Sequence, residues 1–332
     1  MKTPRREFMK LAGAALAALC LQSTARAQTS RAASAQIWPE KSIRAMIPFS
    51  AGSSIDIVGR IVVEYLQRAL GQPIIIDNKG GAGGALGSAV VASAAPDGYT
   101  LLINASAHSA APAAYPNIPY DPARDFSAVV SFGSIPNVCV VSPARGFKTL
   151  RDMVAAAKAG DFNYSSAGVG SATHWAAERL RISAGMKATH VPFRGGPEAI
   201  MEVVAKRVDF ACMGMSSALP LIADGQLVPL AVSTPHRSSA LPDVPTTIEA
   251  GFPDSDYTFW NGMFVPAKTP RAIVERLHAE TLKVLASPEV VSKFKPQGIE
   301  PMPLTPAEFD ALIVREVAAN IALVKAAGLK FD

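Results

Sequence analysis

Charge is sparse in this chain. Asp, Glu, Lys and Arg supply 18% of its 332 residues, while 49% are hydrophobic. Average soluble proteins carry roughly 25% charged residues. This balance excludes a largely disordered body and leaves apolar material for a large core, as one big domain or two medium ones. Cysteine is scarcer, with three in all. Cys20 follows Leu19, where a lipoprotein anchor would want a small residue. Cys139 and Cys212 sit in the apolar stretches NVCVV and VDFACMG and read as buried free thiols. An oxidising compartment would also permit a disulfide between them. There is no C-x-x-C and no zinc-ligand spacing of cysteine to histidine. His108, His174, His190, His236 and His278 make neither H-x-x-x-H nor H-x-H, so no metal site is expected.

The apolar run Leu11–Leu21 is too short to span a bilayer. A basic segment precedes it and Ala25-Arg26-Ala27 follows, so residues 1–27 read as an export signal peptide with an A-x-A cleavage site. Arg5-Arg6 followed by Glu7, Phe8, Met9 and Lys10 resembles a twin-arginine signal, and an ordinary secretory signal holding two arginines is the other reading. Either route exports the chain across the cytoplasmic membrane. The segment holds Lys2, Arg5, Arg6, Lys10 and Arg26 against Glu7, a net +4 of the chain's formal +5, so about +1 remains after it. A nucleic-acid or acidic-membrane partner thereby loses its main support. Residues 28–36 read as a flexible mature N-terminus.

Familiar chemical motifs are also missing. GGAGGALG fails G-x-G-x-x-G because Leu86 takes the last position, and no G-x-x-x-x-G-K-[ST] occurs. No G-x-S-x-G displays a nucleophile, and Ser216 in GMSSALP lacks the closing glycine.

What is present is an alternation of short apolar strands with helical segments, which predicts an α/β protein with mostly parallel sheets. Thr149 and Asp152 form a capping pair for a helix to Ala159. Thr269-Pro270, Ser287-Pro288 and Thr305-Pro306 each read as an N-cap followed by an N1 proline, with a capping box from Thr305 to Glu308. Three strand–loop–helix junctions share one chemistry: Ser50–Ser54, SSAGVGS at 165–171, and Arg194-Gly195-Gly196. The cluster Gly80–Gly84 is a fourth. Glycines let the backbone approach a ligand, and helix-start N–H groups point at an anion. An ordinary capping loop is the alternative at each. Arg194 either grips a carboxylate bidentately or pairs with a surface acid. His174, beside the second loop, either donates to a ligand or caps and packs.

Taken in order, WPEKSIRAMIPFSAGSSIDIVGR, GQPIIIDNKGGAGGALGSAVVASAAPDGYTLL, YPNIPYDPARDFSAV, NYSSAGVGSATH, HVPFRGGPEAI, ALPLIADGQLVPLAVSTPHRSSALPDVPTTIEAGFP and PQGIEPMPLTPAEF closely resemble the periplasmic substrate-binding proteins of tripartite tricarboxylate transporters, the Bug family. The resemblance runs from about Trp38 almost to the C-terminus. It implies a two-lobed periplasmic-binding-protein fold of type II, a Venus flytrap in which each lobe is a mostly parallel sheet flanked by helices. Lobe 1 would comprise 37–138 and 260–332, and lobe 2 would comprise 139–259. It implies a monomer that binds a small organic carboxylate between the lobes, without catalysis or cofactor, and delivers it to membrane permease subunits.

In the family, backbone N–H groups of two loops hold one ligand carboxylate. The matching positions here are Phe49, Ala51, Gly52, Ser53, Ser54 and Asp56 in the first loop, and Ser166, Ala167, Gly168, Gly170 and Ser171 in the second, with His174 alongside. Phe49 would be a wall against the ligand body. The regions matching Arg194-Gly195-Gly196 and Gly214–Ala218 line the far end and vary with ligand, with Arg194, Gly195 and Ser216 as the candidate contacts. This chain has Ser53 where a second glycine often stands, and CMGMSS lacks the acidic or amide group common before the serine. Those departures make room for a more apolar or aromatic carboxylate as well as a di- or tricarboxylate. A carboxylate receptor serving a signalling partner would use the same pocket, and a periplasmic hydrolase would need a nucleophile–base pair that the sequence does not display.

Overall fold

Residues 38–327 are described by the computed structural model. The expected signal peptide and mature N-terminus lie outside the described residues. All elements below belong to the unit Lys41–Asp332.

Strands and helices follow in the order β1 (Ile43–Ile47), α1 (Ser54–Leu70), β2 (Ile74–Asn78), α2 (Ala85–Ala92), β3 (Thr100–Ala105), α3 (Ala107–Ala114), β4 (Phe126–Ile135), β5 (Asn137–Val141), α4 (Leu150–Ala159), β6 (Asn163–Ser166), α5 (Ala172–Ala184), β7 (Thr189–Pro192), α6 (Gly196–Val204), β8 (Phe210–Gly214), α7 (Met215–Ala223), β9 (Val228–Val232), β10 (Phe259–Pro266), α8 (Arg271–Leu285), α9 (Pro288–Phe294) and α10 (Pro306–Ala327). They build two five-stranded sheets, ordered β2-β1-β3-β10-β4 and β7-β6-β8-β5-β9. In the first sheet β10 runs antiparallel to β3 and β4 while the other four strands share a direction. In the second, β5 plays the same part between β8 and β9. The reversed strand in each sheet is the one that follows or ends a passage between sheets. Asn137 and Val138 already pair in the second sheet, and Phe259 pairs in the first.

Local sequence explains the elements that flank the cleft. α1 carries Ile55, Val58, Val62, Leu66 and Leu70 on its buried face, and Gly71 closes it with a left-handed residue (φ 70°). β5 and β10 are buried along their whole length, as central strands covered on both faces are. Against the first sheet, Trp260, Phe264 and Phe309 form the heart of a core with Met46 and Leu102. The Trp260 and Phe309 rings meet edge to face at 5.0 Å, a geometry worth about 0.5–1.5 kcal/mol beyond area burial. Gly262 makes this packing fit, because a β-carbon there would lie 2.4 Å from the Phe309 ring.

The Thr149–Asp152 and Thr305–Glu308 capping boxes are formed, and Ser287 caps α9 ahead of Pro288. The Thr269-Pro270 expectation is corrected: Pro270 is itself the N-cap of α8, and the Thr269 hydroxyl donates to the Pro266 carbonyl instead. Cys139 and Cys212 are not free thiols. They are directly opposite in the β5–β8 pairing and form a disulfide. Among the described residues no helix is long and apolar enough to cross a membrane.

Candidate functional site

Helices α1 and α5 begin at one small cavity between the sheets, and the first residue of α6 (Gly196) and the N-cap of α7 (Gly214) line it too. Its volume is about 30 Å³. Phe49, Ser53, Ser54, Ile55 and Ala105 line it from the first sheet and α1. Ala167, Ser171, Ala172 and Thr173 line it from the β6–α5 loop and the start of α5. Gly196, Met213, Gly214, Ser217 and Phe259 complete the wall.

The donors are the helix starts. Ser53 is the N-cap of α1 in extended conformation (φ −67°, ψ 157°), and its side chain makes no capping bond. The first intrahelical bond runs from Ile57 N–H to the Ser53 carbonyl. The N–H groups of Ser54 and Ile55 are therefore orphans of the first turn, and neither has an acceptor among the described residues. At α5, Ser171 accepts from His174 N–H, and Trp175 N–H bonds the Ser171 carbonyl. Ala172 and Thr173 N–H are left over in the same way. Two macrodipoles thus present their positive ends to one cavity, alongside the buried, unpartnered Ser53 hydroxyl.

The second loop contributes less than its glycines suggest. Four of its N–H groups are spent internally: Ala167 on Thr173 Oγ1 (2.9 Å), Gly168 on Ser166 Oγ (3.1 Å), Gly170 on His174 Nδ1 (3.1 Å) and Ser171 on the Gly168 carbonyl (3.1 Å). Phe49, Ser53, Ser54, Ala167 and Ser171 reach the cavity, whereas Ala51, Gly52, Asp56, Ser166, Gly168, Gly170, His174, Arg194, Gly195 and Ser216 do not.

Several of these residues hold the site instead of lining it. The Asp56 carboxylate accepts from Gly52 N–H (2.8 Å), Arg60 Nε (2.8 Å) and Asn78 Nδ2 (2.9 Å). Burial pushes its pKa up, but Arg60, Gly52 and Asn78 together outweigh burial and hold it below the ordinary value. This brace fixes the first loop, and Asn78 ties it to the Phe49 carbonyl as well. His174 lies behind the second loop, stacked on His190 at 4.1 Å, and His190 Nε2 meets Ser166 Oγ at 2.6 Å. Burial, then the nearness of His190 and Arg181, pushes His174 down to about 2. Burial pushes His190 down to about 4 against the pull of Glu178. Both are neutral braces at neutral pH. Ser216 turns away to donate to the Gln297 carbonyl, and its neighbour Ser217 takes the cavity position.

Arg194 is exposed and lines a separate outer pocket of about 500 Å³ with Tyr115, Phe193 and Glu198. Gly195 is buried where a β-carbon would meet Ser50 Oγ at 2.5 Å.

Contacts across the cleft close it. Ser50 Oγ donates to Glu198 Oε1 (2.8 Å), Tyr115 OH donates to the Val169 carbonyl (3.1 Å), and Ser217 N–H donates to Ser54 Oγ (3.3 Å). Gly83 approaches the Val169 carbonyl so closely that a β-carbon would lie 2.0 Å from its oxygen. Ile55, Gly196, Gly214 and Ser217 lie within the loop regions that the sequence points to, and they line the cavity, whereas Ala105, Ala172, Thr173, Met213 and Phe259 are lining residues outside those regions. Thr173 carries a signal, being a polar residue in the first turn after a small-residue loop, while Met213 and Phe259 look like any buried strand residue.

Two sheets linked by two passages, with helix N-termini meeting at a cavity between them, define the class of two-lobed solute-binding proteins. The description "Tripartite tricarboxylate transporter family receptor" matches residues 58–329, and the chain belongs to that family. A UPF0065 protein from the tcbD–tcbE intergenic region of a Pseudomonas species is 37% identical over 87% of this chain and 85% of its own length. BugT of Bordetella pertussis is 31% identical over 90% of this chain and 92% of its own. Among solved structures, MatC from Rhodopseudomonas palustris with bound malate superposes with a TM-score of 0.83 at 31% identity, covering 86% of this chain and all of that one. R. palustris Rpa4515 with adipate superposes with a TM-score of 0.85 at 28% identity, covering 88% and 99%.

Proposed function

We propose that this protein is a periplasmic receptor that binds a small organic carboxylate between two lobes and delivers it to a permease of the tripartite tricarboxylate type. One observation carries the reading: two helix N-termini, each with unspent N–H groups, converge on one cavity whose lining holds no Lys, Arg or His. Backbone donors and aligned dipoles suit an anion. The malate and adipate in the two R. palustris relatives support the same ligand class.

Binding proceeds without turnover in this reading. Ser53, Ser54, Ser171 and Ser217 line the cavity, and no lining residue offers a general base to activate them. The lobes are taken as 37–138 with 260–332, and 139–259; the strands divide between two sheets close to these bounds, with Asn137 and Val138 already pairing in the second sheet and Phe259 in the first. The two lobes open to admit the ligand, and contacts to both favour closure. Export by the twin-arginine route and a monomeric state complete the proposal.

A thermal-shift panel of mono-, di- and tricarboxylates and aromatic acids tests it. A ligand present at about 100 times its Kd adds about 2.7 kcal/mol to the stability of the folded state. At least one acid is expected to raise Tm. A panel without any shift, or chemical turnover of a bound acid, overturns the reading.

A further inference from the structure

Asn137 and Asn261 stand where the chain passes between the sheets. Asn137 opens β5 two residues after β4 ends, and Asn261 lies near the start of β10 after the long return from β9. Both are fully buried, at 0% exposure. Neither amide nitrogen and neither amide oxygen has a hydrogen-bond partner among the described residues. Buried polar groups are nearly always paired, so four unpaired atoms on two residues call for a reason.

The sheet geometry supplies the direction. Opposed residues in an antiparallel pair share a face, as do residues two apart in a strand. Asn261 is opposite Ala105 and two residues from Phe259, and both of those line the cavity. The alternating residues face the other way: Trp260 donates to Glu316 and Gly262 abuts Phe309, both on α10. Asn137 is opposite Gly214, another lining residue. A β-carbon on Gly214 would point at Ser54 Oγ and the Phe259 ring, which is the cavity side. Neither amide is among the residues that line the cavity; each lies directly behind a lining residue, Asn261 behind Ala105 and Phe259 and Asn137 behind Gly214, and Ser53 Oγ, also buried and unpartnered, lines the cavity itself.

We infer that Asn137 and Asn261 form the inner polar wall of the ligand site and select a carboxylate that bears a hydroxyl group. The inference rests on the carboxylate reading above. The helix starts provide for the acid. A hydroxyl both donates and accepts, as the amides do. A second charge would meet no cation among the lining residues, and an aliphatic or aromatic tail would leave the amides unpaired.

Isothermal titration of the wild-type protein with matched pairs, malate against succinate and lactate against propionate, reads this directly. The hydroxylated member of at least one pair is expected to bind at least about tenfold tighter. In Asn261→Leu, and separately in Asn137→Ala, that ratio falls to within about twofold of one, with folding checked by circular dichroism and Tm. Equal wild-type affinities within every pair that binds, or a ratio unchanged in folded variants, overturn the inference and leave the carboxylate receptor standing. If no acid in the wider panel binds the wild type, the receptor reading fails and takes this inference with it.

Discussion

Gly214 and Ser54 meet across the cleft at a distance that only glycine allows: a β-carbon on Gly214 would fall 2.4 Å from Ser54 Oγ. Phe259 stands 2.8 Å from the same point. Gly214 has φ −57° and ψ 132°, a conformation open to any residue, so the approach and not the backbone requires glycine here. Ser54 is in the first turn of α1, whose N–H groups serve the cavity. Gly214→Ala is expected to push the two sheets apart and weaken acid binding by at least about tenfold. Overpacking of this kind costs about 1–3 kcal/mol. Titration calorimetry measures the first effect, and small-angle scattering should report a larger radius of gyration. Wild-type affinity in the alanine variant would show that this contact does not govern closure.

The Ser53 hydroxyl separates binding from folding. It is buried, lines the cavity and has no protein partner among the described residues. Removing an unpaired buried hydroxyl relieves a desolvation cost, so Ser53→Ala should leave stability unchanged or raise it by up to about 1 kcal/mol. The same change should weaken ligand binding by about tenfold, since a hydrogen bond to a charged group is worth about 1.5–3 kcal/mol. Urea unfolding and titration calorimetry on one preparation check both signs. A variant that loses stability and keeps its affinity contradicts the assignment.

Much of this architecture is legible in the residues. The alternation of apolar strands with amphipathic segments, and the loops before Ser54 and Ala172, place the cavity between two α/β layers. What spacing does not show is the direction of a side chain. Asp56, His174 and Ser216 sit within reach of the site in sequence, yet each turns to brace a loop or bond a carbonyl. α3 and α7 are hidden in the sequence because Pro112 and Pro220 lie inside them, where proline normally ends a helix. Ala105, Met213 and Phe259 become cavity walls only through strand register. The same register joins Cys139 to Cys212 across 73 residues.

Buried neutral histidines set the acid response. Burial pushes His108 down to about 3 and His190 to about 4, and burial with its neighbours pushes His174 to about 2. In the unfolded chain each returns to about 6.5. Between those values the unfolded state binds more protons, so stability is present above about pH 6.5 and is lost as the pH falls. Each histidine contributes up to about 1.4 kcal/mol per pH unit. Glu316 and Asp310, raised by burial, act in the opposite sense nearer their own range. Asp56, held low, matters only below about pH 4. Urea unfolding at pH 7.5, 6.5 and 5.5 should therefore show declining stability, and His190→Gln should flatten the slope by nearly one proton. A flat wild-type profile across that range would contradict the buried-neutral assignment.

Arg194 lines the outer pocket and not the inner cavity. It is exposed, forms no ion pair among the described residues, and lines the outer pocket of about 500 Å³ beside Tyr115 and Val169, which belong to opposite sides of the cleft. A solvated guanidinium in a cleft mouth attracts anions over roughly a Debye length, about 8–10 Å at ordinary ionic strength. Its effect should fall on the rate of encounter. Stopped-flow measurements on Arg194→Ala with any acid from the panel are expected to show a few-fold slower association at low salt, converging on wild type at about 0.5 M salt, while dissociation changes by less than about twofold. The inner donors at Ser54, Ile55, Ala172 and Thr173 govern dissociation in this scheme. Faster dissociation of tenfold or more in Arg194→Ala would instead put the guanidinium on the bound ligand and extend the site into the outer pocket.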